Sequence, residues 1–536
     1  MSAFTLQQIE QLAFQHYNIS AKAKPLAGEV DHNYWLQTES GRAYTLKISR
    51  PNTASQAVDF QAKIMQHLGA KELPFQVPKV VKTKDGQDWV AIAPRQYLRL
   101  QTWVAGKMID DWQHRSTALL QSWGKSAATL CQTLQDFDHP YAHRSYKWNP
   151  SESLNSRIYE QYFNTPTEKQ IAKYFWTLFE EKALPKLSYL RKGINYNDAH
   201  EHNLLTQNGT SISGIIDFGD AIYTETINEL AIACAYAGMK MNNPIAAMCE
   251  VARGFHQTFP LEEKEVEVLF YLIAARLMIT VANAAYHKHQ APDNEYLFIS
   301  ERPAWELLEK LYVFSPDLAH YHFRSACGWE ACPKNELFYS WLRKEKNELF
   351  SVIDLEKQPI TYLDLGVDSL DLGNNSNFDT IAAFNETIDR LLKEKEASVG
   401  VGGYTEIRPF YSTDAYAIEG NNGAQWRTVH LGFDVWMKAG TPVFAPLEGI
   451  VHSFQDNAAE RDYGPTIILA HRVSERLTFY TLYGHLSRIS LNSLQIGQAI
   501  QKGEQIATIG PPPENGNWPA HLHFQILLDD LDKKGD

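Results

Sequence analysis

The chain has 536 residues, more than one hydrophobic core can hold, so we expect several domains. Its formal net charge of −13 argues against a nucleic-acid partner, because binding to phosphates requires clustered basic side chains. Five scattered cysteines with no C-x-x-C pair, and a polar amino-terminal segment, predict a reducing, cytoplasmic location. Without a long apolar run we expect no membrane span.

The first part of the chain alternates strand-like and helical patterns. Apolar positions in residues 55–68 follow the period of an amphipathic helix. Around that helix, four segments have the composition of strands. They are residues 34–37, 44–48, 89–92 and 97–103. We therefore expect a β-rich lobe over residues 1–105.

The next stretch, residues 106–350, has a mostly helical pattern, interrupted by a strand–turn–strand over 203–217. Residues 351–403 contain many Asp, Gly, Asn and Ser residues and predict a connecting segment. Within it we expect one helix over 378–396, ended by the glycines at 400–403. From residue 404 to 536, short strands alternate with Gly and Pro turns, which indicates an all-β domain.

One set of polar residues has the spacing that phosphoryl transfer requires. Asp198 is followed five residues later by Asn203, and Asp217-Phe218-Gly219 lies on an apolar segment beyond them. This order matches the kinase pattern of a catalytic Asp, a metal-binding Asn and a metal-binding Asp. Burial of the lone Asp217 carboxylate would be costly without such a role.

Two further features lie in the β-rich lobe. Lys47 lies on an apolar strand, where a lysine that contacts nucleotide phosphates belongs. The segment Gly28–Asn33 falls between two predicted strands, the position of a phosphate loop.

These residues resemble the aminoglycoside phosphotransferase/choline kinase superfamily, especially its hydroxylysine kinase and homoserine kinase branches. The resemblance covers about residues 10–350 and includes Tyr196-Asn197-Asp198 and Asn228–Ile232. It implies a two-lobed protein-kinase-like fold in which Asp198 is catalytic, and Asn203 and Asp217 bind Mg²⁺. It also implies that ATP is bound by Lys47, Gly28, Asp31, Asn33 and Gln61.

Two positions depart from the family pattern. The usual His-Gly before the catalytic Asp is Tyr196-Asn197, and the helical Glu that usually pairs with the strand Lys is Gln61 or Asp59. The implied acceptor is a small hydroxyl compound, often an amino alcohol. The acidic and aromatic candidates for binding its cationic group are Glu201, Asp220, Tyr223 and Glu225, and the sequence assigns none of them.

A second set of polar residues has the pattern of a catalytic zinc site. His430 and Asp434 are separated by three residues, and His523 is a third candidate ligand. His521 lies two residues before His523, so both imidazoles share one face of a strand. His485 follows another apolar strand, and with His521 it is a candidate for orienting a zinc-bound water.

This second set resembles the lysostaphin-like metallopeptidases, over residues 404–528. The matching segments are His430–Asp434, Ala439–Pro446, Tyr483–Leu486 and His521–Phe524. The resemblance implies Zn²⁺ bound by His430, Asp434 and His523, with His485 and His521 catalytic. It also implies a duplicated hybrid motif and a peptide or peptidoglycan-like ligand.

Together the patterns predict a multidomain α+β protein, a kinase-like fold followed by an all-β lysostaphin-like domain. The combination resembles multidomain bacterial proteins with a class III aminotransferase-like domain, which we would expect after Asp536. Three functions remain open. The chain is a small-molecule kinase with a zinc hydrolase domain, a peptidase with a regulatory or binding-only kinase fold, or a scaffold in which both sites only bind ligands.

Overall fold

A computed structural model of the chain describes residues 4–28, 30–112, 114–290 and 298–531. The chain divides into two compact units, Met1–Ala331 and Cys332–Asp536. Glu29, inside the predicted phosphate loop, lies outside the described residues. The described cysteines are free thiols.

The N-terminal unit begins with an antiparallel sheet, and the strands predicted in this region are confirmed. The strands are β1 Lys22–Leu26, β2 His32–Gln37, β3 Ala43–Ile48, β4 Val80–Val81, β5 Val90–Ala93 and β6 Gln96–Thr102. Their order is β1-β2-β3-β6-β4, with β5 paired to β6. Helix α1 (Leu6–Tyr17) buries Ile9 and Ala13 in the core of this sheet.

A predominantly helical lobe follows, as the sequence predicts. Its helices are α3 Thr117–Thr133, α4 Pro166–Leu178, α5 Ile227–Gly238, α6 Pro244–Thr258, α7 Glu263–Gln290, α8 Glu301–Tyr312 and α9 Pro316–Ala326. Helix α2, Ser55–Gly69, belongs to the β-rich part and lies between strands β3 and β4 in the chain. The short strands are β7 Lys107–Met108, β8 Lys192–Asn195, β9 Leu204–Thr206, β10 Ile212–Ile215 and β11 Ile222–Glu225. The β9–β10 hairpin is the predicted strand–turn–strand, and it places the catalytic-loop and Asp217 segments at its two ends.

Helix α7 is the one helix among the described residues that is long and apolar enough to cross a membrane. However, 94% of its most apolar 18-residue segment is buried inside the protein. That burial is typical of the core helix of a folded domain.

The C-terminal unit is rich in strands. These are β12 Ile360–Leu363, β13 Val399–Gly402, β14 Ala417–Gly420, β15 Gly423–Trp426, β16 Phe433–Trp436, β17 Pro442–Phe444, β18 Gly449–Asn457, β19 Gly464–Arg472, β20 Thr478–Gly484, β21 Ala499–Ile500, β22 Gln505–Thr508 and β23 His521–Leu527. Eight of them form one sheet in the order β12-β13-β16-β23-β20-β19-β18-β21. The helices of this unit are α10 Asn335–Glu345 and α11 Ile381–Glu394.

The boundaries of this unit differ from the sequence prediction. Residues 351–403 do not form a separate connecting segment, because β12 is the edge strand of the large sheet and β13 is paired between β12 and β16. Helix α11 packs its buried Phe384 against Trp436 of β16. Helix α10, expected in the kinase-like part, packs Phe338 against Phe479 of β20. Phe338 and Phe384 are thus buried in the cores of the C-terminal unit, so both helices belong to that unit.

The glycines at 400–403 were expected to end a helix, but Gly400 and Gly402 lie in strand β13. A Cβ atom on Gly400 would lie 2.4 Å from Leu363 Cδ1 of the neighbouring strand. The glycine therefore makes room for a packed neighbour within the sheet.

Candidate functional sites

The predicted nucleotide lysine lies at the centre of the first sheet. Lys47 on β3 pairs in register with Asn33 on β2 and with Arg99 on β6. Its Nζ lies 3.0 Å from Asp217 Oδ2. Burial opposes ionisation of Asp217, but the nearby charges of Lys47 and Arg99 outweigh it and hold the carboxyl pKa below its usual value.

In the described structure neither Gln61 nor Asp59 forms a hydrogen bond or ion pair with Lys47. The side chain of Gln61 on α2 accepts a hydrogen bond from Arg99 Nη2 over 2.7 Å, and Asp59 lies 3.3 Å from His139 Nε2. Arg99 also forms an ion pair with Asp31 of the predicted phosphate loop. A buried arginine therefore connects the loop, the helix and the sheet in the place expected for a Lys–Glu pair.

The loop between β1 and β2 folds tightly on itself. Asn33 Nδ2 donates to the Ala27 carbonyl over 3.3 Å. A Cβ atom on Gly28 would lie only 2.2 Å from that Nδ2. Gly28 and Asn33 thus shape the loop, and Asp31 connects it to the sheet.

The predicted catalytic residues meet in one loop. Asn203 donates from Nδ2 to Asp198 Oδ2 over 2.6 Å. This bond uses the amide nitrogen, so the amide oxygen of Asn203 is left for another partner. The Ile216 N–H donates to the Asn203 carbonyl over 3.0 Å and joins this loop to the segment of Asp217. On the opposite side, Arg276 Nη2 of α7 lies 3.7 Å from Asp198 Oδ1.

The two departures before Asp198 have structural explanations. Asn197 has a φ of +64°, a left-handed conformation that Gly adopts freely and Asn tolerates better than most residues. Tyr196 donates its hydroxyl to the Ile216 carbonyl over 2.5 Å. Glu229 of α5 accepts the Asn197 N–H over 2.7 Å and fixes the loop backbone.

In the C-terminal unit the three predicted zinc ligands converge. His430 Nε2, Asp434 Oδ1 and His523 Nδ1 are separated by 3.1 Å, 3.1 Å and 3.2 Å. Metal–ligand bonds of about 2.0–2.1 Å in a tetrahedron place ligand atoms about 3.3 Å apart. The three atoms therefore fit a tetrahedral Zn²⁺.

Cross-strand pairing creates this arrangement. Asp434 on β16 and His523 on β23 face each other in register, and Gly484 of β20 pairs with His523 on the other side. His430 Nδ1 lies 2.8 Å from the Gly403 carbonyl. Because a carbonyl oxygen can only accept a hydrogen bond, Nδ1 carries the ring proton. In the neutral imidazole, Nε2 is then free to bind a metal.

The two predicted catalytic histidines lie beside the ligands. Each donates a hydrogen bond from Nδ1 to a backbone carbonyl. His485 donates to Asn515 over 2.9 Å, and His521 donates to Pro519 over 2.7 Å. Burial lowers the pKa of His521 to about 4 and holds that of His485 well below its usual value. Both rings are therefore neutral bases with a free Nε2, and they lie 4.3 Å apart between centroids.

A buried arginine supports the metal ligands from behind. Arg408 Nη1 donates to Asp434 Oδ2 over 2.6 Å, and its Nε donates to Glu406 over 2.8 Å. Burial opposes ionisation of Asp434, but Arg408 and the nearby histidines reverse this effect and hold its pKa well below the usual value. Asp434 thus stays ionised and presents Oδ1 to the other ligands.

Two protein-family profiles match the chain. Residues 22–260 match the profile of the phosphotransferase enzyme family, and residues 428–533 match that of peptidase family M23. The chain carries a phosphotransferase domain followed by an M23 peptidase domain. The first match includes the residues around Lys47, Asp198 and Asp217, and the second includes those from His430 to His523.

The phosphotransferase domain has several curated relatives. Hydroxylysine kinase of Xenopus laevis is 28% identical over 340 residues, which span 58% of this chain and 90% of that protein. Hydroxylysine kinase of Mus musculus is 27% identical over 325 residues, spanning 54% and 85%. Among solved structures, the microcompartment-associated aminopropanol kinase has a TM-score of 0.45 at 18% identity, covering 61% of this chain and 100% of that chain.

Sequence reasoning missed three buried arginines, Arg99 and Arg276 in the phosphotransferase domain and Arg408 in the C-terminal unit. Arg99 and Arg276 lie within apolar runs, Tyr97–Leu100 and Ala274–Leu277. A charge in such a run requires a buried partner, so this pattern could have identified both. Arg408 lies in a stretch of mixed polar and apolar residues, Thr405–Ser412, that gives no such signal.

Proposed function

We propose that the N-terminal unit transfers the γ-phosphoryl group of ATP to the hydroxyl of a small amino alcohol or hydroxylated amino acid, with Mg²⁺. The observation that carries this proposal is the convergence of Lys47, Asp198, Asn203 and Asp217 on one site. We further propose that the M23 domain is a zinc hydrolase that acts on peptides.

In the phosphotransferase reaction, the acceptor oxygen forms a bond to the γ-phosphorus as the bond from that phosphorus to the leaving ADP oxygen breaks. Asp198 accepts the hydroxyl proton, held in place by Asn203 on one side and Arg276 on the other. Asn203 and Asp217 would bind Mg²⁺, which neutralises charge on the phosphates when bound. Lys47 is released from Asp217 to contact the phosphates.

In the M23 domain, His430, Asp434 and His523 would hold Zn²⁺. When bound, the metal supplies Lewis acidity and lowers the pKa of water to about 7. His485 and His521 are neutral, so a free Nε2 atom can accept a proton from a water and then pass that proton to a leaving amine. Arg408 keeps Asp434 charged.

The decisive experiment measures ADP release with ATP and Mg²⁺ against amino alcohols, hydroxylated amino acids and aminoglycosides. We expect acceptor-dependent ADP release that Asp198→Asn reduces by about 100-fold or more, while bound zinc is unchanged. Asp85→Asn, in an exposed turn, is the matched control. His430→Ala should remove zinc but leave ADP release intact, and His452→Ala on β18 is its control.

One observation favours the second candidate, an M23 hydrolase with a binding-only kinase fold. In the described part of the chain Lys47 has no carboxylate partner on a helix, and Gln61 of α2 contacts Arg99. If ATP binds without turnover of any hydroxyl acceptor, this second function replaces the first.

A further inference from the structure

The phosphotransferase site contains a carboxylate, that of Asp220, with no ion-pair partner among the described residues. Around the site, three other carboxylates each lie near a basic side chain. The pairs are Lys47 with Asp217, Arg99 with Asp31, and Arg276 with Asp198. Asp220, three residues after Asp217, forms no ion pair with any residue in the described part of the chain. Its carboxylate is therefore left to pair with a cationic group of a ligand.

The position of Asp220 is fixed by two neighbours. Tyr146 donates its hydroxyl to Asp220 Oδ1. Arg144 donates to the carbonyls of Gly219 and Ala221, over 3.4 Å and 3.0 Å, on either side of Asp220. The Arg144 guanidinium also lies 4.9 Å from the Tyr146 ring centroid. Because these N–H groups are directed at carbonyls, Arg144 orients the Asp220 backbone without forming an ion pair with its carboxylate.

The charge of the catalytic Asp198 also acts on Asp220. Burial and the charge of Asp198 raise its carboxyl pKa to about 7. Half-buried beside the catalytic carboxylate, it gains most from a cation placed between the two.

The other acidic and aromatic candidates are either paired with other side chains or buried. Glu225 forms an ion pair with Lys192 at 3.0 Å and accepts a hydrogen bond from Ser151 over 2.5 Å. Glu201 is 2% exposed. Tyr223 is exposed, with its ring 4.5 Å from that of His143.

We propose that Asp220, oriented by Tyr146, binds the ammonium group of the acceptor and selects amino alcohols over neutral hydroxyl compounds. This inference rests on the proposed phosphotransferase function and identifies the residue that determines its substrate class. A charge-assisted hydrogen bond from the ammonium to Asp220 would hold the acceptor beside Asp198.

The test compares 1-amino-2-propanol with 1-methoxy-2-propanol, which has one hydroxyl at the same position and no charge. The full chain should prefer the amine by about 10- to 100-fold in kcat/KM, the range of a hydrogen bond to a charged group. Asp220→Asn should abolish most of that preference through KM of the amine. Tyr146→Phe should reduce the preference less, and Asp85→Asn should leave it unchanged.

Titrating Mg²⁺ for each variant separates this role from metal binding. If Asp220→Asn raises the Mg²⁺ requirement and reduces turnover of both acceptors equally, Asp220 is a metal ligand and the proposal is wrong. Equal use of the two acceptors by the unmodified chain overturns it as well. If no hydroxyl acceptor is turned over at all, the phosphotransferase function itself has failed. In that case binding of the amine, measured calorimetrically with a non-hydrolysable ATP analogue, still tests Asp220.

Discussion

Arg408 and Asp434 form an ion pair of 2.6 Å in which both side chains are at most 3% exposed. Removing one partner of such a pair leaves a buried charge uncompensated. We expect Arg408→Met to destabilise the C-terminal unit by about 3–5 kcal/mol and to weaken zinc binding by about 10- to 100-fold. Chelator competition and denaturant unfolding measure the two effects. Arg472→Met, at an exposed strand end, is the control, and unchanged zinc affinity in Arg408→Met would show that Asp434 needs no support.

Arg99 should control nucleotide binding through the loop that contains Asp31. Because its guanidinium contacts both Asp31 and Gln61, Arg99→Met should free the loop and raise KM for ATP by about 10-fold, as expected for a lost charged hydrogen bond. KM for the acceptor should change less, and Arg42→Met on the exposed turn should change neither. Initial-rate kinetics with each substrate varied in turn measure this. A larger effect on the acceptor would contradict the assignment.

Asn197 offers a test of backbone strain. Its φ of +64° suits Gly, and its buried side-chain amide has no hydrogen-bond partner in the described structure. We expect Asn197→Gly to be at least as stable as the unmodified chain, and Asn197→Ala to be about 1 kcal/mol less stable than the Gly variant. Thermal unfolding of the three proteins decides this. An Ala variant more stable than the Gly variant would mean that the loop is not left-handed in solution.

His471 should make the C-terminal unit sensitive to mild acid. Its ring contacts the Glu448 carbonyl and the Thr481 hydroxyl, both at 2.8 Å, and burial lowers its pKa. The unfolded chain therefore binds a proton at a higher pH than the folded one. Its contribution to stability is full above about pH 6.5 and declines as pH falls towards the folded pKa, by at most about 1.4 kcal/mol per pH unit.

The measurement for His471 is the free energy of unfolding between pH 5 and pH 8. His471→Gln should show a shallower decline on acidification than the unmodified chain. The difference between the two proteins removes the contribution of the other buried histidines. Parallel curves would show that His471 does not titrate on unfolding.

The sequence by itself determined the two chemistries and most of the local structure. The spacing of Asp198, Asn203 and Asp217 and the order of His430, Asp434 and His523 identify their ligand types, because metal and phosphoryl chemistry permit few residue types. Strands such as β2 and β3 and helix α2 follow from short-range periodicity, which is a property of neighbouring residues.

Only the tertiary structure decided which charges meet. Arg99 and Arg276 are far in sequence from Asp31 and Asp198, and Arg408 is 26 residues from Asp434, so no local pattern connects these pairs. The assignment of Gln61 to Arg99 rather than Lys47 depends on the register of β3 against β6. Residues 351–403 likewise have the composition of a linker. They form the edge strand β12, its neighbour β13 and the packed helix α11, because their few apolar side chains have buried partners. Long-range pairing and burial are set by the whole fold.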